Sequence, residues 1–133
     1  MNKVKKGIGL SPEERAQAAS LRDALLTFRS VDPKLSIEEA YTLLSIAARP
    51  GLLQKELGEE LALTAGSLSR VFAHLNKRGD RGRSGLGLLH MEDDPSDWRQ
   101  KLNYLTHSGE TLVRAVLRDV FDGGNRGSPA EGE

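Results

Sequence analysis

The chain contains no cysteine. That excludes disulfides, thiolate metal sites and thiol-based redox sensing. Aromatic residues make up 5% of the sequence and hydrophobic residues 38%, so a core has to be built mainly from Leu, Val and Ala. No apolar run approaches the ~20 residues that a membrane-spanning helix needs. The N-terminus, MNKVKKGIGLSPEE, is basic but holds no apolar segment long enough for a secretory signal. These absences fit a cytoplasmic protein with no membrane partner. A length of 133 residues suits one domain that buries roughly two thirds of its unfolded surface.

Net charge is also missing, because 19 Lys and Arg balance 19 Asp and Glu. The charges are nevertheless segregated. From Ser36 to Leu63, Arg49 and Lys55 stand against Glu38, Glu39, Glu56, Glu59 and Glu60, a balance of −3; from Thr64 to Arg83, Arg70, Lys77, Arg78, Arg81 and Arg83 stand against Asp80, a balance of +4. A basic stretch on a neutral protein points to a local anionic partner; the plainer reading is a solvated face.

What is present reads mainly as helix. Ser11-Pro12-Glu13-Glu14 is a helix start, with Ser as N-cap, Pro at the first helical position and Glu three residues on. Ala18, Leu21, Leu25 and Phe28 follow at helical spacing until Asp32-Pro33. Ser36-Ile37-Glu38-Glu39 is a second capping box, and Ile37, Ala40, Tyr41, Leu44 and Ala47 are its expected buried stripe. Leu53, Leu57 and Leu61 mark a short third helix. Thr64 caps a fourth, whose stripe is Leu68, Val71, Phe72 and Leu75. The glycine-rich stretch 79–87 is a loop. LLHME and KLNYL read as two strands around the turn DPSDWR, and Thr106 caps a last helix with a broad apolar face.

The third and fourth helices have helix-turn-helix spacing. Leu57, Leu61 and Leu68 lock them together, and the small Gly58 permits a close crossing. With Leu68 facing the core at ~100° per residue, Gly66, Arg70, Ala73 and Lys77 point outward, flanked by Ser69 and His74. Such a face can enter a major groove, where arginine bridges O6 and N7 of guanine. Thr64 and Ser67, at the helix N-terminus, suit a phosphate. A helix-turn-helix followed by a hairpin with a charged tip is a winged helix.

From about Ser36 to Val113 the sequence resembles the MarR family of bacterial transcription regulators. The resemblance rests on Gln54-Lys55-Glu56-Leu57-Gly58-Glu59-Glu60-Leu61, Leu68-Ser69-Arg70, Asp94-Pro95-Ser96-Asp97-Trp98-Arg99 and Leu105-Thr106-His107-Ser108-Gly109-Glu110. It implies a mainly α fold with a small β-hairpin wing, flanked by N- and C-terminal dimerisation helices. It further implies a homodimer on a pseudo-palindromic operator in double-stranded DNA, with the wing arginine, here Arg99, in the minor groove. The chain departs from the family where Trp98 precedes that arginine, where Met91 stands at a position commonly held by arginine, and in an insertion from Asp80 to Gly87.

The expected organisation is a flexible N-terminus (1–10), a winged helix-turn-helix domain (11–122) whose helices at 11–31 and 106–122 dimerise, and a disordered tail (123–133). Leu21, Leu25 and Phe28 with Leu112, Val113, Val116, Leu117, Val120 and Phe121 are the expected dimer seam. Arg81, Arg83, Trp98, Arg99 and Lys101 are the expected wing and loop contacts to DNA. For Trp98 two roles stand open: lying back over Leu89 or Leu102, the favoured one, or pressing on the sugar–phosphate backbone.

Catalysis finds little support. His74, His90 and His107 fall in different elements with no pair at metal-ligand spacing, and the Glu56, Glu59, Glu60 cluster reads as a solvated face. The expected protein is not an enzyme and needs neither cofactor nor metal; no small-molecule effector can be named. The leading function is a sequence-specific transcription regulator, a repressor. The alternatives are a winged-helix protein-interaction module and an accessory DNA-binding protein of replication or partition.

Overall fold

The computed structural model describes residues 9–76 and 84–122. In chain order these form α1 (Pro12–Phe28), α2 (Ile37–Ala48), β1 (Leu52–Leu53), α3 (Gln54–Leu61), α4 (Ala65–Leu75), β2 (Leu89–Asp93), β3 (Lys101–Leu105) and α5 (His107–Phe121). Among the described residues no helix is long and apolar enough to cross a membrane.

The helix starts follow from local chemistry. Ser11 Oγ accepts the Glu14 N–H at 3.1 Å while the Glu14 carboxylate accepts the Ser11 N–H at 2.8 Å. Ser36 and Glu39 repeat the exchange at the same two distances. Each pair satisfies two backbone donors that a helix end leaves open. The first helix stops at Phe28, with Arg29 as its C-cap, three residues before the expected end at residue 31.

Two buried stripes differ in phase from the sequence expectation. In α1 the buried residues are Ser20, Ala24 and Phe28, while Ala18, Leu21 and Leu25 are exposed. In α2 they are Glu39, Ala40, Thr42, Leu43 and Ile46, whereas Ile37, Tyr41 and Leu44 are exposed. The cause is common to both. These helices carry apolar residues on more than one face, and periodicity then reports an apolar face without saying which neighbour covers it. Small side chains on the buried face of α1 let it lie close along α5, against which it makes its main contact.

The sheet has three strands in the order β1-β3-β2, all antiparallel, so the hairpin expected from the sequence gains a strand. Leu52 and Leu53 pair with Asn103 and Leu102, and β2 runs against β3 from Leu89↔Leu105 to Asp93↔Lys101. A two-residue strand has no alternation to read, which is why it escaped the pattern. This sheet and the five helices make a mainly α winged helix-turn-helix. Its fully buried side chains include Leu43, Ile46, Leu57, Leu75 and Leu89.

The α3–α4 crossing is as tight as the sequence implies. A Cβ on Gly58 would stand 2.9 Å from Leu68 Cδ2, so the glycine leaves the room that the Leu68 side chain fills at the crossing. Between them the chain reverses at Ala62, the one described non-glycine residue with positive φ (54°). Leu63 N–H closes the turn onto the Gly58 carbonyl at 3.1 Å, a left-handed helix cap. That conformation costs a residue with a Cβ ~1–2 kcal/mol, and the extra freedom of an unfolded glycine offsets part of the gain from relieving it. Ala62→Gly is therefore expected to stabilise the fold by ~0.5–1 kcal/mol, and Ala62→Val to destabilise it, in urea denaturation. A Gly variant less stable than the wild type would show that the turn is not strained.

Candidate nucleic-acid interface

The recognition helix is α4. Thr64 Oγ1 accepts the Ser67 N–H at 3.1 Å and so defines its start. Leu68, Val71, Phe72 and Leu75 bury one side of it, leaving Ala65, Gly66, Ser69 and Arg70 exposed and Ser67 and Ala73 half-buried. The Arg70 guanidinium turns toward the helix N-terminus and donates to Ser67 Oγ at 3.2 Å. Thr64, Gly66, Ser67, Ser69, Arg70 and Ala73 thus share one surface, with little bulk before Arg70. Lys77, Arg81 and Arg83 lie outside the described residues.

His74, expected on the flank of that surface, is half-buried there and held by two carboxylates. Its Nδ1 meets the Glu39 carboxylate, and its Nε2 lies 2.8 Å from Asp32 Oδ2. Each carboxylate is itself fixed by the backbone. Glu39 accepts the Ser36 N–H at 2.8 Å, and Asp32 accepts the Lys34 N–H at 2.9 Å. The last turn of α4 is thereby clasped to the start of α2 and to the turn before it. Nothing in the spacing announces this, because the partners lie 35 and 42 residues away. Partial burial pushes the His74 pKa down, but the hydrogen bonds and charges of Glu39 and then Asp32 outweigh it, so the net shift is upward from 6.5. The Lys34 N–H, against some opposing desolvation and with help from His74, lowers Asp32 below 3.8.

The wing tip, residues 94–100, is tied internally. Asp94 N–H donates to the Gln100 carbonyl (3.2 Å), Asp97 N–H to the Asp94 carbonyl (3.1 Å) and Gln100 N–H to the Asp97 carbonyl (2.9 Å). Asp94 Oδ1 also accepts the Ser96 N–H and hydroxyl, at 2.9 and 2.8 Å. Asp97 Oδ1 accepts both the backbone N–H and the Nε–H of Arg99, each at 3.1 Å. The Arg99 side chain and then its backbone N–H hold the Asp97 pKa below its usual value, with a smaller attraction from Lys55 on α3. Arg99 is consequently exposed yet oriented. Lys101 is paired across the strands with Asp93.

Trp98 departs from its favoured role. It is 78% exposed, while Leu89 is completely buried without it. The turn that carries it is tied on either side, where Asp97 Oδ1 accepts from the Arg99 backbone N–H and Nε–H. The stacked ring pair of the wing is instead His90 and Tyr104, centroids 5.7 Å apart. Nor is the acidic cluster of α3 simply solvated. Glu56 accepts the Leu53 N–H at 2.8 Å, and Glu60 accepts from Tyr41 Oη at 3.0 Å and Arg49 at 3.1 Å.

The expected dimer seam divides. Phe28, Leu112, Val113 and Val116 are buried within the single chain; α5 spends that face on its own core, so these residues are corrected from seam to interior. Val120 is partly buried against the core. Leu21, Leu25, Leu117 and Phe121 remain exposed, Phe121 at 75%. Among the described residues no cluster of three or more His, Cys, Asp or Glu is placed to hold a metal ion.

An outward-facing recognition helix beside a stiffened wing defines a winged helix-turn-helix protein, and comparison with known proteins narrows the class. The fold is of the MarR type. It is similar to the MepR of S. aureus solved as a MepR–DNA complex (TM-score 0.65, 22% identity, 89% of each chain) and to MarR (TM-score 0.56, 20% identity, 86% of this chain and 80% of that one). In sequence it is similar to the transcriptional regulator HosA of Escherichia coli O111:H-, 29% identical over 85 residues. That match covers 64% of this chain and 57% of the relative. No protein-family model matches the chain.

The clasp gives a pH dependence whose sign can be worked out. A raised histidine pKa means stabilisation that is full below about 6.5 and lost as pH rises through the higher folded value; a lowered Asp32 pKa means the same link is lost as pH falls well below 3.8. His74→Ala is expected to lower the melting temperature near pH 6 and to have little effect near pH 9, which flattens the profile between them. Equal losses at both pH values would show that His74 contributes packing only.

Proposed function

We propose that the protein is a double-stranded-DNA-binding transcription regulator, a repressor that binds a pseudo-palindromic operator as a homodimer. In this reading α4 enters the major groove and Arg99 of the wing reaches the adjacent minor groove. One observation carries it: among the described residues the face of α4 left uncovered, Ala65, Gly66, Ser69 and Arg70, is made of small side chains beside one arginine. A base edge accepts such a face; an apolar protein pocket does not. The MepR–DNA complex and the transcriptional regulator HosA support the same direction. Thr64 and Ser67 serve as phosphate contacts at the helix N-terminus, and Arg99, held by Asp97, meets the negative potential of a narrow A·T-rich groove. The chemistry is recognition, without a catalytic step.

The exposed apolar residues at α1 and α5 support the dimer. Leu21 and Leu25 on α1, and Leu117 and Phe121 on α5, are each four residues apart and uncovered on two helices that pack together. A second copy, related by a two-fold axis, covers them and places two recognition helices about 34 Å apart, one turn of DNA.

Binding of mixed-sequence duplex followed against salt tests the whole reading, since neutralised phosphates impose a steep decline of log K with log salt; binding that ignores salt would favour a protein-interaction module. Arg70→Ala is expected to cost ~1–3 kcal/mol on a selected operator and less on random duplex. Equal losses on both would make Arg70 a phosphate contact. Leu117→Glu is expected to sediment as a folded monomer where the wild type sediments as a dimer; a monomeric wild type at micromolar concentration would end the dimer proposal.

A further inference from the structure

The wing tip lacks the charge that a simple phosphate contact needs. From Glu92 to Lys101 there are four carboxylates (Glu92, Asp93, Asp94, Asp97) and two cations (Arg99, Lys101), a balance of −2. Those carboxylates are occupied within the wing: Glu92 with His90 at 3.1 Å, Asp93 with Lys101, Asp94 with Ser96 and Asp97 with Arg99. The tip is therefore internally tied yet net negative, with Arg99 and Lys101 each paired to a carboxylate, so any affinity it adds has to come from the outer edge of the Arg99 guanidinium or from apolar contact. At its apex stands Trp98, the most exposed large hydrophobic side chain among the described residues. An indole held in water on an ordered turn loses no backbone entropy when something covers it.

We infer that Trp98 is an apolar DNA contact, its ring laid on the deoxyribose wall of the minor groove beside Arg99 and contributing affinity that salt does not screen. This rests on the DNA-binding reading above and specifies how the wing takes part in it. Deoxyribose edges form apolar walls to the groove, and proteins that work there use apolar side chains next to arginines. The tip also lies on the side of the helix-turn-helix, close enough to α3 for Lys55 to act on Asp97. The sequence neighbours of the tryptophan are Ser96, Asp97, Arg99 and Gln100, so they add no apolar area to the ring, and a single exposed ring falls short of the contiguous apolar patch that marks a protein interface.

Because the chain has one tryptophan, its fluorescence reports the wing tip alone. The full-length protein is titrated at low salt with a duplex of about three helical turns bearing A·T-rich flanks, with binding checked by mobility shift. At saturation Trp98 emission is expected to move to shorter wavelength and its quenching by acrylamide to fall. Trp98→Ala is expected to bind about tenfold more weakly, with an unchanged slope of log K against log salt, and Trp98→Phe to recover most of the loss. Arg99→Ala is expected to reduce that slope by about one. Acrylamide quenching that is equal with and without bound duplex would overturn the inference while leaving DNA binding intact. So would a slope for Trp98→Ala that falls as it does for Arg99→Ala, since the ring would then act through the arginine. Quenching that falls with protein concentration alone would assign Trp98 to a protein contact. Absence of any mobility shift would remove the DNA-binding reading itself and this inference with it.

Discussion

The close crossing of α3 and α4 at Gly58 and Leu68 is the constraint on which the interface depends. A Cβ at position 58 would stand 2.9 Å from Leu68 Cδ2, so the Leu68 side chain would have to shift, and its contact with α3 helps to fix the rotation of α4 about its own axis. That rotation decides which residues of α4 face solvent. The strained turn at Ala62 and the Thr64 cap follow from it, because the chain has few residues in which to reverse direction between the two helices. Leu75 and Leu89, both fully buried, then anchor the far end of α4 beside the start of the sheet, where Asn76 bridges to Leu89.

The two halves of the candidate interface are stiffened by different means. Helix α4 is held by apolar packing along its length and by a charged clasp at its last turn, where His74 sits between Glu39 and Asp32. The wing has little core of its own and is stiffened by side-chain-to-backbone hydrogen bonds from Asp94 and Asp97. α5 ties the wing back to the body. Thr106 Oγ1 donates to the Gly87 carbonyl at 2.6 Å and accepts the Gly109 N–H at 3.1 Å. Gly109 itself lies so close that a Cβ would fall 2.2 Å from the Leu88 carbonyl oxygen. The Leu-Thr-x-x-Gly pattern thus has a packing reason: the threonine caps the helix and latches the loop, and the glycine lets them touch.

One buried group stands apart. Asn103, fully buried on the central strand, donates to the Leu52 carbonyl at 2.9 Å, while its Oδ1 has no partner among the described residues. The donated bond adds to the backbone pairing of the two-residue β1 with β3, and β1 leads directly into the first turn of α3.

Much of this was legible in the sequence because it is governed by short-range chemistry. The capping boxes at Ser11 and Ser36, the Thr64 and Thr106 caps, the helix-turn-helix spacing from Leu57 to Leu75 and the Asp-rich wing turn all rest on residues close together in the chain, where backbone geometry leaves few choices. Tertiary structure decided the rest. Which face of α1 and α2 is buried, whether Leu112 and Val116 are core or seam, the engagement of His74 by Asp32 and Glu39, and the outward placement of Trp98 all depend on which surfaces meet across the fold. Hydrophobic burial is non-directional, so an apolar stripe states that something covers it and leaves the neighbour unnamed; only the packed chain supplies that neighbour.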